Sequence, residues 1–316
     1  MKQLYILFMF LAECLMSGER VSAQADISMA THWNNRANYN PASIARTDYI
    51  YIFSNVRSQW LDIKGAPRVI NVQASGYFHS LRSAFGLSMV RDQIGVTQVL
   101  NPMLNYAFRI SNEQDWSLSF GLSAGVFSRF VDGSLYNPDE VIDPFLNYNA
   151  EKYNQPDVNL GVEFESQHFI FGLSGTHLLS IGKPENIFLN TNHQYAYVIY
   201  KNTNFGIINY NLGIHVVNRK DLTVFEANGC IRLKHSGGTK ELREMIDLGV
   251  TYRTSSQMTF LFGVNLTSDL RVGFAYDKSF FSGYFENSTN EFMLEYRIPS
   301  KEASTYIKLD NHNWYF

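Results

Sequence analysis

The stretch Trp116-Ser-Leu-Ser-Phe-Gly-Leu-Ser-Ala-Gly-Val126 decides how this chain is read. Its even positions, Trp116, Leu118, Phe120, Leu122, Ala124 and Val126, are apolar. Its odd positions, Ser117, Ser119, Gly121, Ser123 and Gly125, are small and polar or carry no side chain. Side chains on a strand alternate between two faces, so one face is greasy and the other small and wettable. A tilted strand needs roughly 9–11 residues to cross a bilayer, which is the length of this stretch. The rest of the sequence must decide between one strand of a sandwich and one stave of a membrane barrel.

Composition narrows the choice. Charged residues make up only 17% of the 316, against the ~25% usual in soluble domains, while aromatics reach 15%. After the N-terminus no apolar run approaches the ~18 residues of a membrane helix. The net charge of −3 lacks the basic footprint of a nucleic-acid binder. Few charges, many aromatics and no long apolar run suit a membrane protein built from strands.

The same alternation recurs along the chain. Strands are expected at 49–56, 69–77, 84–90, 103–110, 116–126, 158–165, 169–176, 194–200, 208–216, 222–233, 246–253, 258–266, 270–277 and 291–298. Strand thirteen is among the cleanest, with Leu270, Val272, Phe274 and Tyr276 set against Arg271, Gly273, Ala275 and Asp277. About 14 strands result, and bacterial barrels have even numbers. The less apolar faces carry Gly, Ser, Ala and Asn with single charges of both signs, which suits a crowded, partly hydrated lumen. A secreted sandwich pair is the competing architecture, with its polar faces in water. The fold expected is all-β: a transmembrane antiparallel up-and-down β-barrel behind an irregular N-terminal lead-in.

The layout follows. Residues 1–23 read as a Sec signal, with Lys2, an apolar core and cleavage near Ala23. Residues 24–46 have no strand period and are rich in Asn, with Asn40-Pro41-Ala42 as turn chemistry. The barrel takes 47–299 and a tail 300–316. Cleavage leaves Cys230 as the single cysteine, so no intrachain disulfide forms. Connections after strands two, six, eight and twelve are short, and those after one, three, five, seven and thirteen longer. Outer-membrane barrels put short turns in the periplasm and longer loops outside, so the N-terminus is expected on the periplasmic side. Residues 234–242 are the exception, a long stretch where a short turn belongs.

Several motifs together carry a resemblance: Asn40-Pro41-Ala42, Arg57-Ser-Gln-Trp60, Ile63-Lys-Gly-Ala-Pro67, Gly86-Leu-Ser88 and Asp92-Gln-Ile-Gly95. Asp247-Leu-Gly-Val-Thr-Tyr-Arg253 and Val272-Gly-Phe-Ala-Tyr-Asp277 agree in the C-terminal half. Over residues 24–298 the chain resembles the PorP/SprF family of the type IX secretion and gliding-motility system. The resemblance implies an outer-membrane barrel of a Bacteroidetes bacterium that serves export or surface anchoring of a secreted protein. Its partners would be a secreted protein with a C-terminal sorting domain or periplasmic type IX components.

No catalytic constellation is apparent, and the eight His do not pair at the spacing of a helical zinc site. No cofactor, metal or nucleic acid is expected. Asp139, Glu140 and Asp143 lack the ladder of a calcium loop and read as solvated charge. Two stretches are candidates for partner binding. One is the outward loop with Arg57, Trp60, Gly65 and Pro67, since Trp is enriched at interface hot spots; Trp60 as a membrane-interface anchor is the competing reading. The other is the long loop 129–156 with Phe130, Tyr136, Phe145, Tyr148 and Tyr153, whose alternatives are a lumen plug or a solvated loop. Glu163, Glu165, Arg253, Arg271, Asp277, Glu291, Glu295 and Arg297 fall on lumen faces and are expected to pair across strands, closing the barrel. With an open lumen the protein would instead be a transporter or porin for small or hydrophobic solutes.

Overall fold

A computed structural model describes residues 29–30, 35–45, 49–60, 63–112, 115–135, 148–181, 190–202, 206–219, 222–235, 243–254, 257–279 and 288–299. Fourteen strands run in chain order: β1 (Tyr49–Gln59), β2 (Arg68–Phe78), β3 (Ser83–Ile94), β4 (Thr97–Asn112), β5 (Trp116–Asp132), β6 (Ala150–Ser166) and β7 (Phe169–Thr176). They continue with β8 (His193–Lys201), β9 (Ile208–Arg219), β10 (Leu222–His235), β11 (Arg243–Arg253), β12 (Gln257–Asn265), β13 (Leu270–Ser279) and β14 (Ser288–Pro299). Each pairs antiparallel with its neighbours in sequence, and β1 pairs with β14 from Tyr49↔Pro299 to Gln59↔Thr289. The sheet therefore closes into a barrel without an edge.

The two-residue period explains which way each face points. On β5, Ser117, Ser119 and Ser123 are buried in the barrel, while Trp116, Phe120, Leu122 and Val126 are exposed outward. Leu104, Leu173 and Phe292 are each more than 60% exposed on the outer wall. A continuous apolar surface of this kind is untenable in water, and it becomes the favourable face once lipid surrounds the barrel.

Strand ends differ from the sequence reading where the chain leaves the apolar belt. β3 and β4 join through Gly95 and Val96 alone, not through a longer connection, and Gly95 takes a positive φ of 54°. β5 and β6 each run 17 residues, so much of the expected 129–156 loop is a projecting hairpin. β7, with 8 residues, pairs with β6 only from Leu160 to Glu165. Hence residues 150–159 of β6 rise past the end of β7. Residues 236–242, outside the described residues, separate β10 from β11 at the end where β1 begins, while Lys234 and His235 of the expected long stretch belong to β10.

Pro102 leaves a local mark. It has no N–H to give β5, and the β4–β5 register lapses at Asn101 and Pro102. Asn101 Nδ2 donates to the Val126 carbonyl instead, at 3.2 Å, so the carbonyl is not orphaned.

Candidate functional site

The described part of the lead-in, residues 29–30 and 35–45, lies inside the barrel. Two 3-10 turns, Arg36–Asn38 and Pro41–Ile44, are set by their own sequence. Asn35 and Asn40 stand at the N-cap positions and accept from Ala37 N and Ala42 N at 3.2 and 3.0 Å. Pro41 opens the second turn with its φ already fixed. The capped turns are too short to stand alone in water, and the barrel wall supplies the rest of their contacts.

Arg36 is 2% exposed and meets Glu163 of β6 through two bonds, Nε–Oε2 at 2.8 Å and Nη2–Oε1 at 3.1 Å. Tyr197 of β8 donates its hydroxyl to the same carboxylate. Asn40 Nδ2 donates to that hydroxyl at 2.9 Å and to the Val162 carbonyl at 3.2 Å. On the opposite wall, Asn38 Oδ1 accepts from Asn71 and Gln73 of β2, and Asn35 Nδ2 donates to Gln73 Oε1 at 2.7 Å. Tyr39 packs its ring against Tyr195, Tyr197 and His215. Below these polar contacts, Ile44 and Ala45 form an apolar cluster with Ala84 and Ala107, partly covered by Tyr77. Arg109 Nη1 donates to the Ala45 carbonyl at 2.8 Å.

Glycines make room for this segment. A Cβ on Gly161 would stand 2.0 Å from Asn40 Oδ1, and one on Gly121 would stand 2.0 Å from Ala42 N. The small residues on the lumen face of β5 and β6 therefore form a cradle for residues 40–42.

The other half of the lumen is filled by ion pairs borne on the strands themselves. Arg57 of β1 lies 2.8 Å from Asp277 of β13 and 3.2 Å from Glu291 of β14. Glu291 is fully buried and also accepts from Asn55 Nδ2 and from Ala30 N, each at 2.7 Å. Arg271 joins Asp247 of β11 to Glu295 of β14, and Arg297 lies 3.7 Å from Glu295. Arg253 meets Glu226 of β10, and Arg232 meets Glu244. On the lead-in's side of the lumen, Glu165 of β6 pairs with Lys201 of β8 at 2.5 Å. Removing one partner from a buried pair strands the other charge, at roughly 3–5 kcal/mol. The half from β9 through β14 to β1 is thus fixed by several such constraints at once.

Arg57 is a correction to the sequence reading. β1 runs three residues further than its apolar pattern indicates, so Arg57 sits in a strand, 4% exposed, and faces the lumen rather than an outward loop. Trp60, Gly65 and Pro67 do lie in the β1–β2 connection. Trp60 takes a left-handed φ of 49° and is 38% exposed. Its N–H donates to Ser288 O at 3.1 Å, while Gly95 N–H donates to Gly65 O at 2.8 Å and Asp132 N–H to Val96 O at 3.0 Å. Backbone bonds thus tie the ends of β14, β1, β3 and β5 into one rim. Phe130 lies on the projecting part of β5 beside Lys152, and Tyr148 is exposed just before β6. Tyr136 and Phe145 fall outside the described residues.

Sequence reasoning missed Arg36, Lys201, Glu226, Arg232, Glu244 and Asp247 as lumen partners. Glu226, Arg232 and Asp247 stand at lumen positions of their strands, so parity alone could have found them, whereas Glu244 is out of step with Asp247 and is turned inward by the register shift opposite Leu233 and Lys234. Nothing in the period could have found Arg36, which lies 127 residues from Glu163. Among the described residues no group of three or more His, Cys, Asp or Glu is placed to hold a metal ion.

A closed antiparallel barrel with an apolar outer wall and a lumen filled by its own chain defines an outer-membrane β-barrel protein. The chain belongs to the PorP/SprF family: the profile described as type IX secretion system membrane protein PorP/SprF matches residues 21–296. No curated protein matches the sequence. Among solved structures, the Ralstonia pickettii toluene transporter TbuX is similar at 12% identity and a TM-score of 0.50, over 88% of this chain and 95% of that one. A Pseudomonas aeruginosa FadL homologue gives 11% and 0.45, over 86% and 98%. The Acinetobacter baumannii protein Omp33 gives 10% and 0.43, over 79% and 99%. At these identities the likeness concerns the fold alone.

Proposed function

We propose that this protein serves type IX secretion by engaging a secreted partner at the outer end of the barrel, for export or surface anchoring, and not by offering an open bore. The end carrying the β1–β2 connection and the β5–β6 hairpin faces the cell exterior, and the end where β1 begins faces the periplasm. The observation that carries the reading is the filled lumen: Arg36 with Glu163 on one side and the Arg57, Arg271 and Arg253 pairs on the other. Membership of a secretion family, in a barrel whose interior is occupied, leaves the outer rim and hairpin as the surfaces that do the work. Trp60, Gly65, Pro67, Phe130 and Tyr148 are the residues assigned to partner contact. The partner at that end is a secreted protein with a type IX C-terminal sorting domain, and a periplasmic component of the machinery would instead meet the end where β1 begins.

The test is affinity capture of the tagged protein from mild-detergent membranes, read by mass spectrometry. Recovery of a large surface protein with a sorting domain supports the anchoring role, and recovery of periplasmic type IX components supports a machinery role. Recovery of neither, with steady large channels from the wild-type protein in planar bilayers, would transfer the assignment to a solute transporter.

A further inference from the structure

We propose that residues 35–40 are a removable stopper, and that their departure opens a narrow, cation-preferring aqueous conduit along β2–β8. The two halves of the lumen are closed by different means. On the side of β9–β14 and β1, acids and bases both belong to strands, so no segment can leave the lumen and take one partner with it. On the other side the filling is a segment that no strand ladder holds. From Asn35 to Asn40 its contacts are amide hydrogen bonds, a single ion pair and the Tyr39 ring against Tyr195, Tyr197 and His215. The polar groups among these exchange readily for water once the lumen wets, and Tyr39 is the one ring the movement must expose. The ion pair is held in place by the cost of stranding charge in a dry site, and that cost falls when water reaches both partners. Closed and dry, or open and wet, are therefore the two self-consistent states, with little stable ground between them.

The same segment carries its own tether. Ile44 and Ala45 stay in an apolar cluster with Ala84 and Ala107 at the end where β1 begins, and Arg109 holds the Ala45 carbonyl. Water gives no compensation for exposing that cluster, so the polar run leaves and the apolar run remains as the pivot. The wall left behind is Asn71, Gln73, Ser119, Ser123, Gly121 and Gly161, which is small and polar and suits hydrated small solutes. Arg36 departs with the stopper, whereas Glu163 stays on β6. The Glu165–Lys201 pair beside it compensates itself and Arg109 stays at the pivot, so the charge that the opening leaves unpaired on the wall is the Glu163 carboxylate.

Planar-bilayer recording of the full chain tests this. Wild-type protein is expected to be silent, and Arg36→Ala to show brief openings whose reversal potential in a salt gradient favours cations. Glu163→Gln keeps the shape of the site while breaking the pair, and serves where Arg36→Ala fails to fold; it is expected to open without the cation preference. A disulfide between Asn38→Cys and Asn71→Cys, added to Arg36→Ala, should abolish the openings, and a reductant should restore them. Silence of both single variants, each shown folded by its heat-dependent shift in electrophoretic mobility, would overturn the proposal. So would openings in Arg36→Ala that favour anions or survive the disulfide. Either failure leaves the secretion reading standing, because capture of the partner is measured separately.

Discussion

Two residues show how local chemistry and role separate in this barrel. A bulky residue in the left-handed region costs of order 1–3 kcal/mol and persists where its surroundings over-determine it. Trp60 is held so, between its bond to Ser288 O and the Ile63 N–H that its own carbonyl accepts at 2.9 Å. Trp60→Gly should therefore leave the urea midpoint unchanged or raise it, while partner recovery in the capture experiment falls. Equal recovery would return Trp60 to the role of an interface anchor. Gly161 makes the opposite case. Its missing Cβ is space already taken by Asn40, whereas the nearest atom to a Cβ on Gly229 is Leu212 Cδ2 at 3.5 Å. Gly161→Ala is expected to cost about 1–3 kcal/mol through overpacking, and Gly229→Ala almost nothing, in the same urea titration. A cost at both sites would show that strand propensity, rather than the cradle, sets the effect.

At the scale of elements, strands were legible because lipid and lumen impose opposite demands on neighbouring residues. β7 reads from Phe169 to Thr176 at both levels, since its whole length lies in the belt. β5 and β6 were read short because beyond Val126 and before Val158 the contrast between the two faces lapses, as their burial patterns show. The β3–β4 turn was hidden for the same reason, as Asp92-Gln-Ile-Gly95 carries no contrast between faces. The lead-in was legible only as irregular. Its caps are local and readable in Asn40-Pro41-Ala42, but the wall contacts of Asn38 and Asn40 lie from 33 to 157 residues away. The parity rule makes a direct prediction. Leu212→Arg on the outer wall should cost roughly 2–4 kcal/mol if it lies near the bilayer midplane. Asn218→Arg, outward but at the strand end, should cost about 0–1 kcal/mol. Folding titrations into lipid vesicles measure both, and equal costs would contradict the outward assignment of β9.

For the whole molecule, stability rests on charges that solvent does not reach. Arg271 and Glu295 are 2% and 0% exposed, and buried pairs escape the screening that weakens surface ones. The unfolding midpoint should accordingly change little between about 0.1 and 1 M salt, while Arg271→Met loses roughly 3–5 kcal/mol by leaving Asp247 and Glu295 facing each other. A strong salt dependence would mean that water reaches the network.

The unequal strands have one more consequence. The 8 residues of β7 span about 26 Å along the strand, or about 20 Å of membrane at a usual tilt, against an apolar band of about 25 Å. The 17 residues of β5 and β6 overshoot it. Lipids beside β7 must compress to meet the wall, and that thinning is relieved when two such sectors adjoin or when shorter acyl chains gather there. A barrel that looks round from above is in this sense polarised within the plane of the membrane, with a heading given by its shortest stave.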